Sequence, residues 1–142
     1  MKLSPLGLAI IESFEELRLV AYRDSRGVLT IGWGHTGSDV REGMVCSAAQ
    51  ADAWKLVDLD TAESALQNIP GLTQHQYDAL VSLVYNIGVE AFEHSILLTH
   101  LYHDPLTAAD CFAAWNHVNG VVNAGLTKRR TLECALFLDG TQ

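Results

Sequence analysis

The chain has 142 residues, 49% hydrophobic and 18% charged, which suits one packed domain and excludes a disordered or low-complexity protein. Its net charge of −8 argues against nucleic acid, because neutralising phosphates needs clustered Lys and Arg and only Lys128-Arg129-Arg130 forms a cluster. The acidity is concentrated in the middle: from Glu42 to Asp110 there are ten acidic residues and one basic residue, Lys55.

Ser4-Pro5 reads as a helix start, with serine as cap and proline in the first turn, and the helix ends near Glu15 or Glu16. Its apolar run, Leu6 to Ile11, is too short to span a bilayer, which takes about 20 apolar residues. The start around Lys2 also lacks the length and cleavage region of a secretory signal. Residues Leu19 to Trp33 are rich in β-formers around Asp24-Ser25-Arg26-Gly27, a turn with aspartate first and glycine fourth, and predict a small antiparallel hairpin. A glycine-bearing loop leads to Ser47 and Gln50, a capping box opening a long helix to about Asn68.

Pro70-Gly71 breaks the chain, and Thr73 with Gln76 restarts it. Tyr77, Leu80, Val81, Val84 and Tyr85 recur at helical spacing, so the helix ending at Gly88 is expected to be buried. A helix from about Ala91 to His103, another capped by Thr107 and reaching Trp115, a loop from Asn116 to Gly125, and a last helix from about Thr127 to Leu138 complete the reading. Cys46, Cys111 and Cys134 are an odd count without paired spacing, so neither a disulfide framework nor a zinc site is predicted, although a single Cys111–Cys134 bridge stays open as an alternative. His100, His103 and Asp104 have metal-like spacing, but histidine is also favoured at helix C-termini by the dipole, and no metal is expected.

The chemistry is concentrated between Glu15 and Gly37. Cleaving a glycosidic bond needs one carboxyl to protonate the departing oxygen and a second to meet the developing charge or activate water. Glu15, beside apolar Phe14 and Leu17, suits the acid. Asp24, in a polar turn beside Arg23 and Arg26, suits the ionised partner, and Thr30 lies across the hairpin where its hydroxyl could hold a water. Taken singly, each has a structural reading: solvated helix end, turn-initiating aspartate, ordinary strand threonine.

The stretch from Phe14 to Gly37 resembles the catalytic segment of the phage-type lysozymes, the endolysins of glycoside hydrolase family 24. The likeness continues through Asp78-Ala79-Leu80-Val81-Ser82-Leu83-Val84-Tyr85-Asn86-Ile87-Gly88, Ala91-Phe92, Ser95-Ile96-Leu97-Leu98 and Gly125-Leu126-Thr127-Lys128-Arg129-Arg130 with Glu133. It implies a mainly α (α+β), lysozyme-like two-lobed domain over residues 1–142, with a hairpin lobe at about 15–46 and a long connecting helix. It also implies a muramidase that cuts between N-acetylmuramic acid and N-acetylglucosamine without a cofactor, with Glu15, Asp24 and Thr30 as catalytic residues.

By the same pattern Thr36, Tyr85, Asn86 and Ser95 would bind glycan, with Tyr22 and Trp33 as hairpin core or sugar platforms. His35 would pair with Asp58, and Arg129 or Arg130 would orient Glu15. A monomer held in the bacterial cytoplasm until a separate holin-type pore admits it to the peptidoglycan is the implied setting. One departure is Glu16, where relatives usually have glycine. A glycan-binding module without turnover and a lytic transglycosylase are the alternative readings.

Overall fold

A computed structural model describes residues 1–139 and builds seven helices and two small antiparallel sheets. Helix α1 (Pro5–Phe14) begins where Ser4 caps the amide of Gly7, and it gives way at Glu15 to extended backbone. Strands β1 (Arg18–Arg23), β2 (Leu29–Gly32) and β3 (His35–Thr36) form one sheet in that order, so the predicted hairpin carries a third strand. The register sets Tyr22 opposite Thr30 and Thr30 opposite Thr36, which brings the aspartate turn and both threonines to one end of the sheet.

Helix α2 (Ala48–Ser64) starts at the Ser47 cap and runs about 25 Å from the sheet into the helical body. It stops four residues before the expected Asn68. Leu66 and Gln67 bond the carbonyls three residues back, a tighter winding that ends the α-helix ahead of Pro70. Helix α3 (Gln74–Ile87) opens with the complete Thr73–Gln76 capping box and is buried along nine consecutive residues. Around it pack Ile11, Leu66, Phe92, Leu97, Phe112 and Phe137, all almost fully shielded from solvent.

The expected helix from Ala91 to His103 is two helices, α4 (Val89–Glu93) and α5 (Ile96–His103). Ser95 divides them, because its hydroxyl caps Leu98 while donating to the Phe92 carbonyl. Helix α6 (Pro105–Asp110) is capped by Asp104 instead of Thr107, with a 3₁₀ turn at Phe112–Ala114. The expected loop from Asn116 to Gly125 holds a second hairpin, β4 (His117–Val118) and β5 (Val121–Val122), and α7 (Ala124–Asp139) begins before Thr127.

All three cysteines are free thiols, with Cys111 Sγ toward the Thr107 carbonyl and Cys134 Sγ toward that of Ala109. Among the described residues no helix is long and apolar enough to cross a membrane.

Candidate active site

A groove of about 560 Å³ lies between the three-stranded sheet and the helical body. Glu15, Asp24 and Thr30 all line it, although they come from the end of α1, the β1–β2 turn and β2.

Glu15 is held from behind. Its Oε1 accepts from Arg129 Nη1 at 2.9 Å, and only 17% of the side chain is exposed. Arg129 is itself buried, donates from Nε to Glu133 Oε1 at 3.1 Å and from Nη2 to the Ser82 carbonyl, and lies 5.3 Å above the Phe14 ring. The planar guanidinium therefore fixes the carboxylate against α3 and α7, and of the two candidate arginines Arg129 is the one that reaches Glu15. Arg130 turns to Glu133 instead, with Nη2 donating to Oε1 at 3.1 Å and Nε 2.7 Å from Oε2. The other Glu15 oxygen, Oε2, lies over Gly34, where a Cβ would come within 2.8 Å of it. Gly34 also has φ +88°, so glycine there serves both the turn and the space that the carboxylate occupies.

Asp24 is organised by its own turn. Oδ1 accepts the amides of Arg26 and Val28, both at 2.9 Å, and Oδ2 takes Arg26 Nη2 at 3.1 Å and Nε at 3.3 Å. Partial burial by itself would raise the aspartate, but the two amides and the guanidinium outweigh it and hold Asp24 below the ordinary carboxylate range. Thr30 is buried and donates its hydroxyl proton to the Val28 carbonyl at 2.9 Å. Its oxygen is thereby left as an acceptor toward any water in the groove.

Of the residues expected to meet glycan, Thr36, Tyr85 and Asn86 line the groove and Ser95 does not, since it is used as the α5 cap. Tyr85 donates its hydroxyl to the Trp33 carbonyl at 2.7 Å. Burial first, and the Glu15 charge second, push its phenol well above the ordinary value. Tyr22 lines the groove beneath the Arg18 guanidinium, 4.4 Å from the ring centre. Trp33 instead ties the sheet to α2, donating to Asp52 at 2.8 Å with Lys55 Nζ 4.8 Å from its ring. Glu16 points away from the groove, 80% exposed and 3.8 Å from Arg18.

Trp115, His117 and Val118 also line the groove, and no sequence argument selected them. The Asn119-Gly120 pair between valines was the available sign, since that dipeptide favours the tight turn of a hairpin. Here Asn119 does take a positive φ of 50°.

His35 forms the expected link to α2. Nδ1 lies 2.8 Å from Asp58 Oδ2, Nε2 lies 3.0 Å from Asp39 Oδ2, and the ring stacks on Trp54 at 4.8 Å. Burial opposes the charged imidazole, but the hydrogen bonds to Asp39 and Asp58 outweigh it and raise the pKa. A histidine that binds its proton more tightly when folded stabilises the fold fully below its unfolded value of about 6.5, and that contribution is lost as pH rises through the folded value. The stability advantage of the parent over His35→Asn should therefore be largest near about pH 5.5 and shrink progressively as pH rises above about 6.5. Paired thermal melts across pH check this, and a constant gap would rule out the charged link.

His100 and His103 end α5, and Asp104 turns away to cap α6.

Comparison with known proteins matches residues 12–133 to the phage lysozyme family. The endolysin of Bacillus phage PZA is 42% identical over 149 residues, covering 99% of this chain and 57% of that protein. The endolysin of Salmonella phage P22 is 39% identical, covering 97% and 99%. The solved muramidase domain of SpmX from Asticaccaulis excentricus superposes with a TM-score of 0.81 at 42% identity, over 96% of this chain and 97% of that one. The chain thus spans little more than half the length of some curated relatives and nearly all of others. With the match extending from α1 to α7 and taking in Glu15, Asp24 and Thr30, the chain belongs to the phage lysozyme family.

Proposed function

We propose that this chain is a peptidoglycan-hydrolysing muramidase of the endolysin type, with residues 1–142 as one catalytic unit. It cuts the β-1,4 bond between N-acetylmuramic acid and N-acetylglucosamine. The observation that carries the reading is that a glutamate, an aspartate and a threonine from three separate elements line one groove, with the glutamate held by a buried arginine.

Glu15 gives its proton to the departing glycosidic oxygen as the bond from that oxygen to the anomeric carbon breaks. A water donating one hydrogen to Asp24 and the other to Thr30 Oγ1 directs its lone pair at the anomeric carbon. As the new carbon–oxygen bond forms, Asp24 takes the water's proton. Thr36 and Asn86 supply polar contacts to the sugar, and Tyr85, its hydroxyl already engaged, contributes its ring as groove wall. The endolysin reading carries with it a monomer that waits in the bacterial cytoplasm and reaches the wall through a separate holin-type pore.

Mass spectrometry of digested peptidoglycan tests the reaction: the expected products end in a reducing N-acetylmuramic acid. Anhydro-sugar ends would assign a lytic transglycosylase, and wall binding without new ends would assign a binding module.

A further inference from the structure

We propose that Arg26 is a specificity-determining residue: its guanidinium exchanges Asp24 for a carboxylate on the peptide substituents of the wall, and in leaving uncovers Asp24 Oδ2 for the reaction. The inference rests on the muramidase reading and adds to it a preferred substrate class, strands with free peptide carboxylates.

Both Asp24 oxygens are occupied in the structure. The two contacts to Oδ1 are backbone amides of the turn and cannot leave without unmaking it. The two contacts to Oδ2 come from one side chain, Arg26, which is 49% exposed. An ion pair so open to water is weakly held and screened by salt, so it can be exchanged. While it persists, a positive charge covers the oxygen that should receive the water's proton and sits beside a sugar that is itself becoming positive.

Among the described residues Arg26 is also the only Lys or Arg that lines the groove, since Arg129 is buried behind Glu15. A chain of net charge −8 approaching an anionic polymer needs a local cation at its site, and a guanidinium fork suits a carboxylate. The titratable groups that share the groove are Glu15, Tyr22, Asp24, Tyr85 and His117, so the two wall substrates are compared at one fixed pH.

The experiment compares the parent, Arg26→Gln and Arg26→Lys on purified peptidoglycan before and after carbodiimide-mediated amidation of its carboxylates. For the parent, amidation should lower kcat/KM about tenfold, the scale of one lost charge-assisted contact. Arg26→Gln should show a KM raised about tenfold on native walls, little further loss on amidated ones, and a higher kcat than the parent there, because Asp24 is no longer covered. Arg26→Lys keeps the charge without the fork and should retain part of the preference.

General repulsion between an acidic enzyme and an anionic wall acts in the opposite sense, since amidation would then speed the parent. Equal parent rates on both walls, faster parent cleavage of amidated walls, or an equal loss in Arg26→Gln would overturn the proposal. If the parent cleaves neither wall, the muramidase reading fails, and a binding measurement decides the inference alone. A muramyl dipeptide with a free carboxylate should shift the Arg26 Nε–H resonance and its amide should not, whereas equal behaviour of the two refutes it.

Discussion

Replacing Glu15 by Gln should lower wall clearing by about 10²–10⁴-fold, the range associated with loss of a general acid. The amide keeps the size of the side chain and can still accept from Arg129 Nη1 through its oxygen, but it has no proton to give to a leaving alkoxide. Stability should therefore change far less than rate. Turbidity assays on exposed cell walls, run beside thermal melts, separate the two effects. Glu16→Gln is the matched control, because that side chain is 80% exposed and outside the groove. Its rate should stay within about twofold of the parent, since a screened surface charge contributes little. Should the Glu15 variant keep its rate and the Glu16 variant lose it, the acid is Glu16.

The largest expected effect on stability comes from Glu133. This fully buried carboxylate accepts from Ser82 Oγ at 2.6 Å, Arg129 Nε at 3.1 Å and Arg130 Nη2 at 3.1 Å. Burial pulls the Arg130 guanidinium below its ordinary value, and Glu133 is what opposes that pull. Taking away the negative charge leaves two buried guanidinium groups around a neutral amide. Glu133→Gln should then cost about 3–5 kcal/mol, or roughly 10–20 °C in Tm for a chain of this size. Activity at low temperature should fall as well, through Arg129, which holds Glu15. A loss below about 1 kcal/mol in chemical denaturation would mean that the cluster is not a linked charge network.

The sequence is most legible where its signals act locally. The Ser4 cap, the Thr73–Gln76 box and the periodic face of α3 each depend on residues within a few positions of one another, and each stands in the structure. The spacing from Glu15 through Asp24 to Thr30 brings the three residues to one groove for the same reason: a short hairpin leaves little freedom in where its turn and second strand come to lie.

What stayed hidden depended on distant partners. Nothing near Arg129 shows that it, and not Arg130, spans 114 positions to Glu15, because the choice follows from which side of α7 meets α3. Trp115 and His117 reach the groove through a hairpin whose Asn-Gly turn was visible but whose strands are two residues each, too short to register as a pattern. Ser95 resembled a glycan contact in its family block, yet its hydroxyl satisfies backbone groups at a helix junction.

Glu15 is fastened to α7 while Asp24 and Thr30 belong to the sheet and its turn, so the proposed chemistry is divided between the two halves of the molecule. On the proposed mechanism, any hinge-like rotation between those halves changes the distance from Glu15 to the attacking water. Opening wide enough to free a severed strand would therefore also dismantle the arrangement that severs it, so letting go and switching off become a single movement.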